Sequence, residues 1–177
     1  NIQNYYEMVR EKDLVLTHTL VDIQRNRSGA ATALDDSLDV ALSVVKETDE
    51  GIIVHGARVL ATLPIADEIA VYPARSHRLP TGAPGRTSFA FALPCDAPGL
   101  KFQCRESFDL QRSSFHHPLG SRIEEMDALG FFDNVLVPWE RVFLYGDVDM
   151  CNNCVLYPCD DADEEEIVDY GRRSAPS

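Results

Sequence analysis

Apolar side chains recur at three- and four-residue spacing through Tyr5, Met8, Val9, the Lys12 stem and Leu16, which predicts an amphipathic helix from Tyr5 to about Leu16. The texture then changes. Thr17-His18-Thr19-Leu20-Val21-Asp22-Ile23 is short and β-branched and reads as a strand, while Gln24-Arg25-Asn26-Arg27-Ser28-Gly29 reads as a polar loop. From Leu38 to Pro94 the pattern predicts strands over 39–46, 51–57, 59–62, 69–72 and 87–93. Thr48-Asp49-Glu50-Gly51, Leu63-Pro64 and the Gly/Pro-rich stretch 79–85 supply the turns between them. Further strands are expected at 100–104, 131–138 and 141–145. Many short strands with frequent turns give a mainly β fold, an antiparallel barrel or sandwich entered by a short helix.

Length and charge narrow this picture. The 177 residues suit one domain, and no apolar run approaches the ~20 residues of a membrane span. A net charge of -13 argues against nucleic acid or anionic lipid as partner, since both demand a basic face. More than half of that excess lies in 147–177, where nine acids meet two bases, so the end of the chain is expected to be a solvated, poorly ordered acidic tail. Five cysteines and no visible leader pattern point to free thiols in a reducing, cytoplasmic setting.

Few residues are candidates for chemistry on their own. Cys151, Cys154 and Cys159 have metal-like spacing but no fourth ligand follows, and adjacent His116 and His117 cannot easily turn to one ion, so no metal is expected. Cys95 and Cys104 have no base placed beside them by sequence. His18, between two threonines and ahead of the Gln24–Arg27 donors, could hold a phenol or carbonyl oxygen while the loop holds an anionic or heteroaromatic cofactor, although a lone histidine is more often structural. Residues 48–62 read as a hairpin with a glycine at each bend.

Several stretches together are more specific than any one alone. Val9-Arg10-Glu11-Lys12-Asp13-Leu14, Leu16-Thr17-His18-Thr19-Leu20, Val54-His55-Gly56-Ala57 through Ala61-Thr62 with Ala66-Asp67-Glu68, Pro98-Gly99-Leu100-Lys101, Cys104-Arg105-Glu106-Ser107 and the run Phe132 to Phe143 follow in order. In this order they resemble the large (oxygenase) component family of 4-hydroxyphenylacetate 3-monooxygenase, over roughly residues 5 to 153.

The resemblance implies a β-domain like the middle domain of acyl-CoA dehydrogenases, with a helical region ending near 16, the flavin and substrate domain over 17–148, and a divergent tail over 149–177. It also implies a two-component, FAD-dependent aromatic hydroxylase: a separate flavin reductase supplies reduced FAD (FADH2), dioxygen is the co-substrate, and a small phenol is hydroxylated ortho to its oxygen. The full-length family forms homo-oligomers. His18 matches the histidine that contacts substrate oxygen and lies against flavin. Thr19, Leu20, Gln24, Arg25, Asn26 and Arg27 match flavin-contacting segments, and Thr62 matches a threonine near the isoalloxazine ring. Ala74 and Arg75 stand at substrate-lining positions where some members carry hydroxyls, a departure that bears on which phenol is used. His18 and the bend after it are expected to form one wall of a flavin pocket beside Thr62. The family's flanking helical domains have no counterpart here, which suggests a fragment of a longer enzyme. The alternatives are a non-catalytic binding or assembly fragment and a related acyl-CoA-handling flavoprotein or dehydratase.

Overall fold

The computed structural model describes residues 1–19, 21–23, 40–62, 64–72, 85–107, 113–123 and 126–153. Helix α1 (Ile2–Lys12) leads into β1 (Leu16–Thr19) and β2 (Val21–Asp22). β3 (Ser43–Glu47), β4 (Gly51–Thr62), β5 (Glu68–Val71), β6 (Phe89–Pro94), β7 (Leu100–Cys104), β8 (Asp127–Pro138) and β9 (Val142–Tyr145) follow, and α2 (Val148–Asn153) closes the described chain.

The mainly β expectation holds, but these strands form two open sheets rather than a closed barrel. One has the order β1-β5-β6-β9; the other runs β2-β4-β8-β7 with β3 also on β4. Burial explains the two-layer form: Ile52, Val54, Ile69, Val71, Phe91, Phe132, Val135 and Val137 are all at most 1% exposed and come from both sheets. Each such side chain contributes roughly 1.5–3 kcal/mol relative to an exposed position. Consecutive strands β1 and β2 belong to different sheets, so this short stretch is a seam between the layers.

Three sequence boundaries move. The helix ends at Lys12, short of Leu16, because Asp13 takes a left-handed conformation and the Leu14 N–H returns to the Val9 carbonyl. The Val15 N–H then donates to the Asp67 carboxylate, delivering Leu16 to β1. Residues 51–62 form one strand instead of two joined by a glycine bend. Gly56 sits inside it at φ 122, where a Cβ would lie 2.4 Å from the Ala41 carbonyl oxygen, and the register against β8 shifts there and again between Arg58 and Ala61. Residues 148–153 belong to the fold, since α2 buries Cys151 against Ala90 and Leu144. The remainder of the expected acidic tail lies outside the described residues.

Candidate functional site

β1 alternates in burial: Thr17 and Thr19 are buried, whereas Leu16 and His18 are exposed. This is the two-residue period of a half-buried strand. The inward threonines replace apolar packing with hydrogen bonds to β4: the Thr17 hydroxyl donates to the Thr62 carbonyl, and the Thr19 hydroxyl donates to the Val59 carbonyl at 2.6 Å. Parallel pairing with β5 sets His18 opposite Ala70.

On the outward face the His18 imidazole stacks on Tyr72, with ring centroids 6.1 Å apart and planes inclined by 19°. Tyr72 is fixed from two sides. Its N–H reaches the Thr19 carbonyl at 3.5 Å, and its own carbonyl accepts from Arg58 Nη1 at 2.8 Å. Arg58 is 3% exposed and lies over the Phe89 ring. A cation thus sits in the apolar interior beneath the His18–Tyr72 pair.

Thr62 ends β4, half-buried and directly opposite Asp127, the first residue of β8. Its hydroxyl donates to Asp127 Oδ1 at 3.2 Å. Arg105, just beyond β7, has its Nε 4.0 Å from Asp127 Oδ2 and its N–H on the Asp127 carbonyl.

A second polar cluster lies where α1 meets the sheets. Buried Glu68 pairs with Arg141 at 2.6 Å, and the Tyr5 hydroxyl donates weakly to the same carboxylate at 3.5 Å. Burial, then the Glu68 charge, push the Tyr5 phenol well above its ordinary range; the same causes push the Cys95 thiol up to about 11. These groups tie α1 down and suppress thiolate chemistry at Cys95.

Of the residues singled out from sequence, His18, Thr19 and Thr62 fall in this region. Leu20, Gln24, Arg25, Asn26, Arg27, Ala74 and Arg75 lie outside the described residues. The expected wall, with His18 beside Thr62, is not formed by these residues: Thr17 reaches the Thr62 carbonyl, while the alternation of the strand turns His18 to the opposite, exposed face of β1. Thr19 turns its side chain into the fold and serves to hold the strand. Sequence reasoning did not select Tyr72, Arg58 or Asp127. The strand over 69–72 would have put Tyr72 beside His18 had its pairing with β1 been known, and extending the strand at 131–138 backwards would have put Asp127 opposite Thr62.

The donor set can be matched to a flavin. The aromatic pair of His18 and Tyr72 and the Thr62 hydroxyl are each of a kind that a planar heteroaromatic ring with polar edges could use. Among the described residues, no helix is long and apolar enough to cross a membrane.

Comparison with known proteins identifies the lineage. The oxygenase component of 4-hydroxyphenylacetate 3-monooxygenase from Thermus thermophilus is 48% identical over 153 residues, 86% of this chain and 31% of that protein. The FADH(2)-dependent monooxygenase TftD of Burkholderia cepacia is 36% identical over 158 residues, 89% of this chain and 29% of its own length. A crystal structure of the oxygenase component of 4-hydroxyphenylacetate 3-monooxygenase complexed with FAD and 4-hydroxyphenylacetate matches with a TM-score of 0.74 at 46% identity, covering 87% of this chain and 32% of that one. Glutaryl-coenzyme A dehydrogenase, at 14% identity and a TM-score of 0.50 over 85% of this chain and 32% of its own, shares the fold alone. The chain therefore spans about a third of the length of the relatives it matches. Residues 1–144 match the family model described as 4-hydroxyphenylacetate 3-hydroxylase N terminal, and the chain belongs to that family.

Proposed function

We propose that this chain is the flavin- and phenol-handling β portion of a two-component aromatic monooxygenase that hydroxylates a small phenol, such as 4-hydroxyphenylacetate, ortho to its oxygen. The observation that carries the reading is the exposed His18 ring, held flat on Tyr72 at the seam of the two sheets, in a chain 48% identical to such an oxygenase component. The bound FAD and phenol of the solved relative, and the reduced flavin in the name of TftD, support the choice of ligands.

Reduced FAD supplies the electrons that activate dioxygen; holding and orienting the reactants falls to this chain. His18 would hydrogen-bond the phenol oxygen, fixing which ring carbon faces the cofactor and keeping the ring electron-rich. Offset stacking on Tyr72 would favour one orientation of the imidazole, and buried Arg58 anchors the Tyr72 backbone. Thr62 would contact the isoalloxazine ring, while Thr17 and Thr19 pin β1 to β4. By the family resemblance, Thr19, Leu20, Gln24, Arg25, Asn26 and Arg27 would contact the cofactor, and Ala74 and Arg75 would line the phenol site. A separate flavin reductase, self-association of the full-length protein and a cytoplasmic location belong to the same proposal.

Anaerobic titration with reduced FAD, followed by hydroxylation assays with a supplied reductase, tests the reading. Saturable binding and a loss of roughly 10²-fold in kcat/KM for His18→Ala are expected. Absence of saturable binding would overturn it. The chain's coverage of only about a third of its relatives favours a second reading, a non-catalytic binding fragment. Retained flavin binding with no hydroxylated product would select it.

A further inference from the structure

Thr62 brings one hydrogen and two lone pairs, and the Asp127 carboxylate offers that hydrogen an acceptor. Asp127 is directly opposite across the β4–β8 ladder, and its Oδ1 lies 3.2 Å from the Thr62 hydroxyl oxygen. A carboxylate only accepts, so the hydroxyl must donate. Asp127 is itself restrained by its place at the start of β8, by the Arg105 N–H on its carbonyl, and by the Arg105 guanidinium 4.0 Å from its other oxygen. Toward any further partner the Thr62 hydroxyl is therefore left with its lone pairs, as an acceptor.

This has a chemical consequence for a flavin. Reduction converts bare acceptor nitrogens of the isoalloxazine ring into N–H donors. An acceptor-only hydroxyl gains a hydrogen bond from the reduced ring and sets lone pair against lone pair with the oxidised one. We propose that Asp127 is a positioning residue that fixes Thr62 as an acceptor and thereby makes the site prefer reduced over oxidised flavin. The inference rests on the reading above, in which Thr62 faces the flavin. It goes further in assigning a residue and a physical basis to the choice of redox form. For a protein that must capture reduced flavin from solution, this preference decides which form occupies the site.

The test is the ratio of dissociation constants for oxidised and reduced FAD, measured anaerobically on the purified protein. In Asp127→Ala the hydroxyl regains its freedom to donate, and the ratio of oxidised to reduced Kd is expected to fall roughly tenfold. Thr62→Val, which keeps the side-chain shape, is expected to lower it by a similar factor. The double variant should fall no further than either single one, as for two residues acting as a unit. A purely structural role for Asp127 would weaken both forms equally, leaving the ratio intact. That outcome, with binding retained, overturns the inference while leaving the flavin reading standing. If Asp127→Ala does not fold, an unchanged ratio in Thr62→Val overturns it instead. Failure of the unaltered protein to bind either form overturns the flavin reading, and this inference with it.

Discussion

The β4–β8 ladder and the β1 edge are neighbours built on different physics. Along β4 and β8 the inward positions are Ile52, Val54, Ala61, Ala128, Phe132, Val135 and Val137, held by apolar burial between the sheets. Along β1 the inward positions are threonines, held by hydrogen bonds to β4 carbonyls, and the exposed position carries the candidate catalytic histidine. Burial alone is tolerant of which apolar group fills the space, whereas a hydrogen-bonded edge fixes a strand in one register. The rigid layer supports, and the polar edge positions.

Replacing Phe91, fully buried and in edge-on contact with Phe132, tests the supporting layer most severely. Phe91→Ala is expected to cost about 4 kcal/mol in denaturant unfolding. A cost near zero would mean that the two sheets do not share this core. Arg141→Met strands the Glu68 carboxylate, 4% exposed, without its partner, and should cost about 3 kcal/mol; adding Glu68→Gln should recover much of the loss. Thr19→Val removes one hydroxyl of the positioning edge at nearly constant volume. Its expected cost is only about 1 kcal/mol, yet the His18 imidazole resonances should broaden or move in NMR spectra as β1 loosens. Unchanged His18 resonances would show that the threonine does not govern the edge.

The smallest effect is in the pH dependence. Burial, then the bond its hydroxyl donates to Glu47, push the Tyr145 phenol up to about 12 from 10.0. The native state holds this proton more tightly than the unfolded chain. The resulting stabilisation is complete below pH 10 and is lost as pH rises from about 10 to 12. Tyr145→Phe should flatten that decline in unfolding midpoints measured across the window, leaving the core variants' losses at neutral pH unchanged.

The comparison also explains what could be read in advance. Strand-forming runs over 51–57, 59–62 and 131–138 marked most of both long strands, because such composition leaves a signature that needs no partner to be known, but not that 51–62 is one strand or that β8 begins at Asp127. The register shift at Gly56 left no such signature, and neither did the close passage of the Ala41 backbone beside it, a contact between distant residues. Likewise, Thr17-His18-Thr19 announced a strand, but not which threonine would reach Thr62. That answer required the β1–β5 pairing and the step from β1 into β2 between sheets. Arg58 and Glu68 lie in strand segments yet are only 3% and 4% exposed, against the usual solvent preference of such residues. Their burial depends on the Tyr72 carbonyl and the Arg141 guanidinium, which arrive from elsewhere in the fold.

Gly56 gives this architecture an asymmetric future. Exchange at a surface residue such as His55 can be tried singly as lineages diverge, but any larger residue at 56 would need the stretch bearing Ala41 to relocate in the same generation. Ancestors and descendants should therefore drift freely around a point that itself stays frozen.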